Sequence, residues 1–286
     1  MRLKDIFKKK NKDPFKEVKV GNYSLTANAE HRIEEFLTVH RYYSRNLPRI
    51  ASIITKYYPK YSIVDVGANI GDTVALLRSE GVEQPVYAIE GEPQYFNLLK
   101  KNLSLFNNVH AIETFLGEKD DRQQFGWISD EGTSKISDQG DKKIQIKKLD
   151  TVARENSFEN VKLLKTDTDG FDFKILRGAT ELIAAHKPVL FFEYDADFLE
   201  EQHDDGLSIF SWFEEAGYNS ALFYDNFGKL LICLPIANKA MISQLYNYMR
   251  GKKSAFPYYD VALFHKDDEA MAQEVLASET QYFANN

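Results

Sequence analysis

The 286-residue sequence carries a single cysteine, Cys233. One thiol cannot close an intramolecular disulfide and does not supply a cysteine-based zinc site. No run of 18 apolar residues occurs, so the sequence offers no membrane-spanning helix. The basic start is not followed by an apolar segment of the signal-peptide type, and a cytoplasmic location is the expectation. Positive charge is in deficit: 36 Lys and Arg stand against 43 Asp and Glu, a formal net charge of −7. That balance argues against a protein that holds nucleic acid by neutralising phosphates. No internal repeat is visible. The remaining composition, 43% hydrophobic and 28% charged, suffices for one large α/β domain with additions or for two small ones.

The most informative stretch is Ser62 to Gly71, S-I-V-D-V-G-A-N-I-G. Ile63, Val64 and Val66 predict a buried strand, because β-branched apolar residues fit a pleated, covered surface. Gly67 ends it. Asn69 and Gly71 permit a sharp turn and leave room for a ligand against the backbone. Asp72 and Thr73 then open a helical run with Val74, Leu76 and Leu77. Strand, glycine turn and helix form the first unit of a nucleotide-type α/β fold, which binds ligand beyond the strand's carboxyl end.

A second strand, Pro85 to Ile89, ends in Glu90-Gly91. An acid about 20 residues past such a turn commonly takes a ribose hydroxyl pair, since a carboxylate accepts two hydrogen bonds from a vicinal diol. The glycine pattern lacks the third glycine of dinucleotide sites, and no Tyr-x-x-x-Lys pair follows the central strands. A nucleoside ligand without pyrophosphate therefore fits better than NAD, and S-adenosylmethionine is the candidate. An ordinary strand–helix turn with a capping Glu90 is the plain alternative.

Along the rest of the chain, residues 1–19 hold eight Lys or Arg and three acids. Leu3, Ile6 and Phe7 beside Lys8, Lys9 and Lys10 could make a membrane-surface anchor, but charge blocks are usually solvated termini. Residues 29–58 have helical spacing, divided by Pro48 into two helices that could cover the ligand, with Tyr42, Tyr43 and Arg45 near the break. Pro93 to Phe106 predicts a helix, and Val109 to Phe115 a third strand whose end at Leu116 could meet an adenine. Residues 121–149 alternate like a hairpin, and its tip, Gly132 to Ser134, could fold over the site. Val161 to Thr166 predicts a strand running into Asp167-Thr168-Asp169-Gly170, with Asp172 in the next helix's first turn as a capping group. Lys187 to Tyr194 is an apolar strand ending at Glu193. Two strands around Asp225 to Gly228, a helix, a last strand at Tyr259 to His265 and a last helix close the chain.

Six pieces in order, I-V-D-V-G-A-N-I-G (63–71), A-I-E-G-E-P (88–93), K-K-L-D-T-V (147–152), L-L-K-T-D-T-D-G-F-D (163–172), I-L-R-G-A (175–179) and K-P-V-L-F-F-E (187–193), resemble the FkbM family of S-adenosylmethionine-dependent methyltransferases. The family usually has glutamate where Asp169 and Asp172 stand. The resemblance implies an α/β fold with a class I methyltransferase, Rossmann-like sheet, and the order of elements read above makes it mostly parallel with an antiparallel C-terminal addition and N-terminal helices in front. The resemblance covers about residues 61–195; with the elements read along the chain, the expected organisation is a tail and helical cap over residues 1–60, a methyltransferase domain over 61–266 with a hairpin insertion at 121–149, and a C-terminal helix over 267–286. The resemblance also implies O-methylation of a hydroxyl on a small-molecule acceptor such as a sugar or secondary metabolite. By the match, Asp65, Gly67, Asn69 and Gly71 line the methionine part of the cofactor and Glu90 holds the ribose, while Ala68, Asp72, Thr73, Gly91 and Leu116 are further expected cofactor-binding residues. A base that removes the acceptor's proton would come from Asp167, Asp169 or Glu193, with Asp167 first by position. Asp167 and Glu193 could instead share Mg²⁺, although two acids are a short ligand set. His186 and His203 are further candidate bases. A cofactor-binding subunit without turnover and an NAD(P) oxidoreductase are the rival functions.

Overall fold

A computed structural model describes residues 14–130, 133–250 and 257–285. The chain begins with a hairpin, β1 (Phe15–Val20) and β2 (Tyr23–Asn28), followed by helices α1 (Ile33–Val39) and α2 (Asn46–Tyr57). Strands and helices then alternate: β3 (Ser62–Val66), α3 (Asp72–Ser79), β4 (Val86–Glu90), α4 (Pro93–Leu103) and β5 (Val109–Glu113). A side sheet is made of β6 (Phe115–Leu116), β7 (Asp121–Asp130) and β8 (Thr133–Lys147). Next come α5 (Leu149–Glu155), β9 (Val161–Thr166), α6 (Asp172–Arg177), α7 (Thr180–His186), β10 (Val189–Asp195), α8 (Ala196–Glu201) and α9 (Ser208–Glu215). The chain finishes with β11 (Tyr218–Asp225), β12 (Leu230–Pro235), α10 (Lys239–Met249), β13 (Tyr258–His265) and α11 (Glu269–Asn285).

The main sheet has eight strands in the order β12-β11-β13-β10-β9-β3-β4-β5. Strands β10, β9, β3, β4 and β5 are mutually parallel, whereas β13 runs antiparallel to both β10 and β11. The expected Rossmann-like sheet of class I methyltransferase type is thus present, mostly parallel with an antiparallel addition. Its central strands are apolar on both faces because helices cover both. Val64, Leu164, Leu190 and Phe192 point into one core with α5, α6, α7 and α9. Ile63, Leu163, Val189 and Phe191 point into the other, with α2, α3 and α11. The strand order reverses between β3 and β9, which opens a crevice at their carboxyl ends.

The structure departs from the sequence reading at several points. Residues 15–28, expected as tail and helical cap, form a hairpin turned at Gly21-Asn22, with Val18, Val20, Leu25 and Ala27 packed on α3 and α4. The buried Asn102 amide fastens it: Nδ2 donates to the Thr26 and Ile70 carbonyls, and Oδ1 accepts the Thr26 amide, each at 2.9 Å. Pro48 does not divide the two early helices. It lies in the first turn of α2, where its missing N–H costs nothing, and the break is at 40–45 with Ser44 in a left-handed conformation. Helices α7 and α8 were not expected. The last strand, β13, inserts between β10 and β11 rather than extending an edge. Leu3, Ile6, Phe7 and Lys8 to Lys10 lie outside the described residues, as does Gly132 at the hairpin tip. No helix among the described residues is long and apolar enough to cross a membrane.

Candidate functional site

The bend after β3 is shaped by its neighbour β9. Gly67 has φ +74°, and a Cβ there would lie 2.0 Å from the Asp167 carbonyl oxygen, so only glycine lets the two loops touch. Asn69 and Gly71 also have positive φ, and Gly71 precedes the first turn of α3. Across the reversal point the second loop turns at Asp169 (φ 49°) and Gly170 (φ 101°). Between these loops lies a cavity of about 190 Å³.

Glu90, the last residue of β4, lines this cavity. Its Oε2 accepts the Asn69 amide at 2.9 Å and its Oε1 accepts the Glu92 amide at 2.8 Å. Burial pushes its carboxyl up to about 7, against the pull of those two amides. Gly67, Asn69, Asp72, Gly91, Leu116, Asp167 and Asp169 share the same cavity. Phe115, Leu116, Phe171 and Ile175 give it an apolar side. The acids Asp72, Glu90, Glu92, Asp167 and Asp169 outnumber its cations, Arg32 and Lys165. Arg32 pairs with Glu35, and Lys165 with Asp65.

A second cavity, of about 50 Å³, adjoins the first and shares Tyr43, Asp72, Lys165 and Asp167 with it. Thr73 lines this one and not the first. Asp72 is raised to about 6 by burial, with Lys165 opposing and Asp65 adding to the rise. Asp167 stands at the junction with its side chain 58% exposed, 3.6 Å from the Lys165 ammonium.

Four expected site residues line neither cavity. Asp65 is fully buried beneath the bend, where its Oδ1 accepts from Lys165 Nζ at 2.9 Å. Ala68 is core, its amide donating to the Ile89 carbonyl, and Gly71 is tucked against Leu99. Glu193 is buried on β10, with Oε2 unpartnered. Burial, then the charge of Asp167, raises its carboxyl well above the usual range. Asp65, Ala68 and Gly71 back the bend instead of facing the crevice, and Glu193 is buried within the sheet. Asp172 is buried in the first turn of α6, where its Oδ2 accepts from the Thr168 hydroxyl. His186 ends α7 at the opposite edge of the sheet, and His203 is exposed on the turn after α8. No group of three or more His, Cys, Asp and Glu among the described residues converges as a cation site, so no third ligand joins Asp167 and Glu193. The Mg²⁺ expectation lacks its ligand set.

Sequence reading missed two residues that the fold brings in. Lys165 is one of two lysines in the central strand, and it stands at the carboxyl end where a charge needs a buried partner, whereas Lys162 lies near the strand's start. Burial alone would lower its pKa, but Asp65 and Asp167 hold it raised. His31, from the segment between β2 and α1, lines the first cavity and meets Asn69 Oδ1 at 3.2 Å. Nothing local marked it, because its partner is 38 residues away.

Among solved structures, a methyltransferase FkbM from Methylobacillus flagellatus KT is 17% identical, with TM-score 0.40, over 56% of this chain and 39% of that one. The match thus spans well under half of the Methylobacillus protein. M. jannaschii TYW2 in complex with AdoMet is 13% identical, with TM-score 0.43, over 89% of this chain and 87% of that one. The Methanococcus jannaschii fibrillarin pre-rRNA processing protein is 13% identical, with TM-score 0.37, over 90% and 86%. No curated protein matches the sequence. The model of the methyltransferase FkbM domain matches residues 65–220, more than half of the chain, and the protein therefore belongs to the FkbM methyltransferase family.

Proposed function

We propose that the protein is an S-adenosylmethionine-dependent O-methyltransferase acting on a hydroxyl of a small, uncharged acceptor. The observation that carries this reading is Glu90. Its carboxylate faces the first cavity and is fixed by two backbone amides, one of them from the glycine bend. Each oxygen keeps a lone pair for one hydroxyl of a ribose. The apolar side formed by Phe115, Leu116, Phe171 and Ile175 suits an adenine ring, and the bend at Gly67, Asn69 and Asp72 is left for the amino-acid end. The surplus of carboxylates suits a ligand carrying a sulfonium and an ammonium, and it opposes the pyrophosphate of NAD. Bound there, the cofactor would supply a methyl group already activated as an electrophile.

The chain's part is to align an acceptor oxygen and take its proton. Asp167 suits that step because it is solvent-accessible, borders both cavities and lies beside Lys165. The cofactor, held by Glu90 and the glycine bend, would supply the methyl group and leave as a neutral thioether, and the Asp167 carboxylate would take the acceptor's hydroxyl proton. Asp169 borders only the first cavity and Glu193 neither, which ranks them behind Asp167.

Calorimetry with S-adenosylhomocysteine and NAD⁺ side by side tests the assignment. Binding of the first and not the second is expected, with loss of affinity in Glu90→Gln. Equal affinity for both, or none for S-adenosylhomocysteine, overturns it.

A further inference from the structure

The antiparallel strand β13 lies beyond the residues that the family model matches, yet it brings a carboxylate to the site. Asp260 pairs in register with Glu193 on β10, so the two side chains leave the sheet on one face. Asp260 lines the second cavity together with Asp167, Lys165 and Asn46. Asn46, fully buried at the start of α2, donates from Nδ2 to Asp260 Oδ2 at 3.2 Å and fixes that carboxylate in place. Tyr43 and Tyr258 add aromatic surface. Glu193, the cross-strand neighbour of Asp260, is nine-tenths buried and lines neither cavity, which leaves Asp260 as the member of the pair that meets the space.

We propose that this second cavity is the acceptor subsite, and that Asp260, oriented by Asn46, receives a neutral hydroxyl neighbouring the one methylated at Asp167. The proposal rests on the methyltransferase reading above. About 50 Å³ holds only the end of a molecule, roughly the space of three or four waters. The wall is of mixed sign. An anionic group would meet Asp72, Asp167 and Asp260; an ammonium would meet Lys165, and burial raises Asp72 to about 6 and Asp260 to about 7, which weakens their pull on a cation. A hydroxyl can donate to a carboxylate and accept from Lys165 at once. Paired hydroxyls beside aromatic rings are the chemistry of a sugar or similar polyol. Burial, then the nearby Asp167, raises the Asp260 carboxyl to about 7, as expected where acids converge without enough cations.

The test uses the full chain saturated with S-adenosylhomocysteine and saturation-transfer NMR with the methyl glycosides of glucose, galactose, mannose and rhamnose. Glucose 6-phosphate and glucosamine are the anionic and cationic comparisons. At least one neutral glycoside is expected to bind, with affinity weakened about tenfold or more by Asp260→Asn and by Asn46→Ala. Affinity for S-adenosylhomocysteine should stay within about twofold of wild type in both variants, which also shows that they fold. Absence of binding by every glycoside, unchanged glycoside affinity in both variants, or tighter binding of the phosphate or the amine overturns the subsite. Failure of S-adenosylhomocysteine to bind the wild type removes the methyltransferase reading instead, and the subsite with it.

Discussion

The Lys165 ammonium lies 2.9 Å from the Asp65 carboxylate, bridging neighbouring parallel strands with both side chains buried. The pair sits directly under the glycine bend, and Lys165 also reaches toward Asp167. Removing one partner strands a charge away from water, a loss of about 3–5 kcal/mol, whereas removing both can be close to neutral. Asp65→Asn or Lys165→Met alone should therefore lower stability by that amount in urea unfolding, and the double variant should recover most of it. Additive losses in the double variant would show that the two do not act as a pair.

Glu90 makes cofactor affinity depend on pH. Its folded pKa, raised by burial to about 7, exceeds the ordinary value of 4.5. In the ligand-free protein its contribution to stability is complete below 4.5 and is lost as pH rises through about 7. A ribose diol needs the ionised carboxylate, so affinity for S-adenosylhomocysteine should rise between about pH 6 and about pH 8. Glu90→Gln should flatten that rise and weaken binding about ten- to hundredfold. Calorimetry across this range decides it.

His31 has the opposite sign. Its Nδ1 accepts the Ile33 amide at 3.2 Å, so Nε2 bears the proton and donates to Asn69. Burial chiefly, with Lys16 adding and Asn69 opposing, lowers its pKa below 6.5. The stability it confers is present above 6.5 and fades as pH falls below its folded pKa. Between neutral and acidic pH the wild type should lose more melting temperature than His31→Phe does. Parallel losses would remove His31 from the pH response.

Gly67→Ala tests the contact between the two loops. A methyl group 2.0 Å from the Asp167 carbonyl, on a backbone at φ +74°, must push the loops apart. Strain of about 1–3 kcal/mol and a matching loss of S-adenosylhomocysteine affinity are expected. A variant that melts and binds like wild type would mean the loops part without consequence.

Much of the sheet was legible because its strands are short, continuous apolar runs. Val161–Thr166 matches the expected bounds, and β3, β4 and β10 fall within a residue or two of theirs. The hairpin β1–β2 was missed although its signal was present: Val18 and Val20 alternate with charge, and Gly21-Asn22 is a two-residue hairpin turn. The block of lysines around it outweighed that alternation. Pro48 misled because a proline inside a helical pattern can mark either a break or a first turn, and only packing tells them apart.

The site divides the same way. Gly67, Asn69, Glu90, Asp167 and Asp169 announced themselves, since a bend at the end of a buried strand and an acid at the next strand's tip are local patterns that neighbouring residues enforce. The sequence alone determined that much: where the central parallel strands form, where they end and which side chains stand at those ends. Only the tertiary structure decided that Asp65 goes under the bend with Lys165, that His31 closes over Asn69, and that β13 threads between β10 and β11 to set Asp260 beside Asp167. Those relations join residues 38 to 100 positions apart. They follow from which sheet faces must be covered and how strands order themselves, and no short window of sequence contains that information.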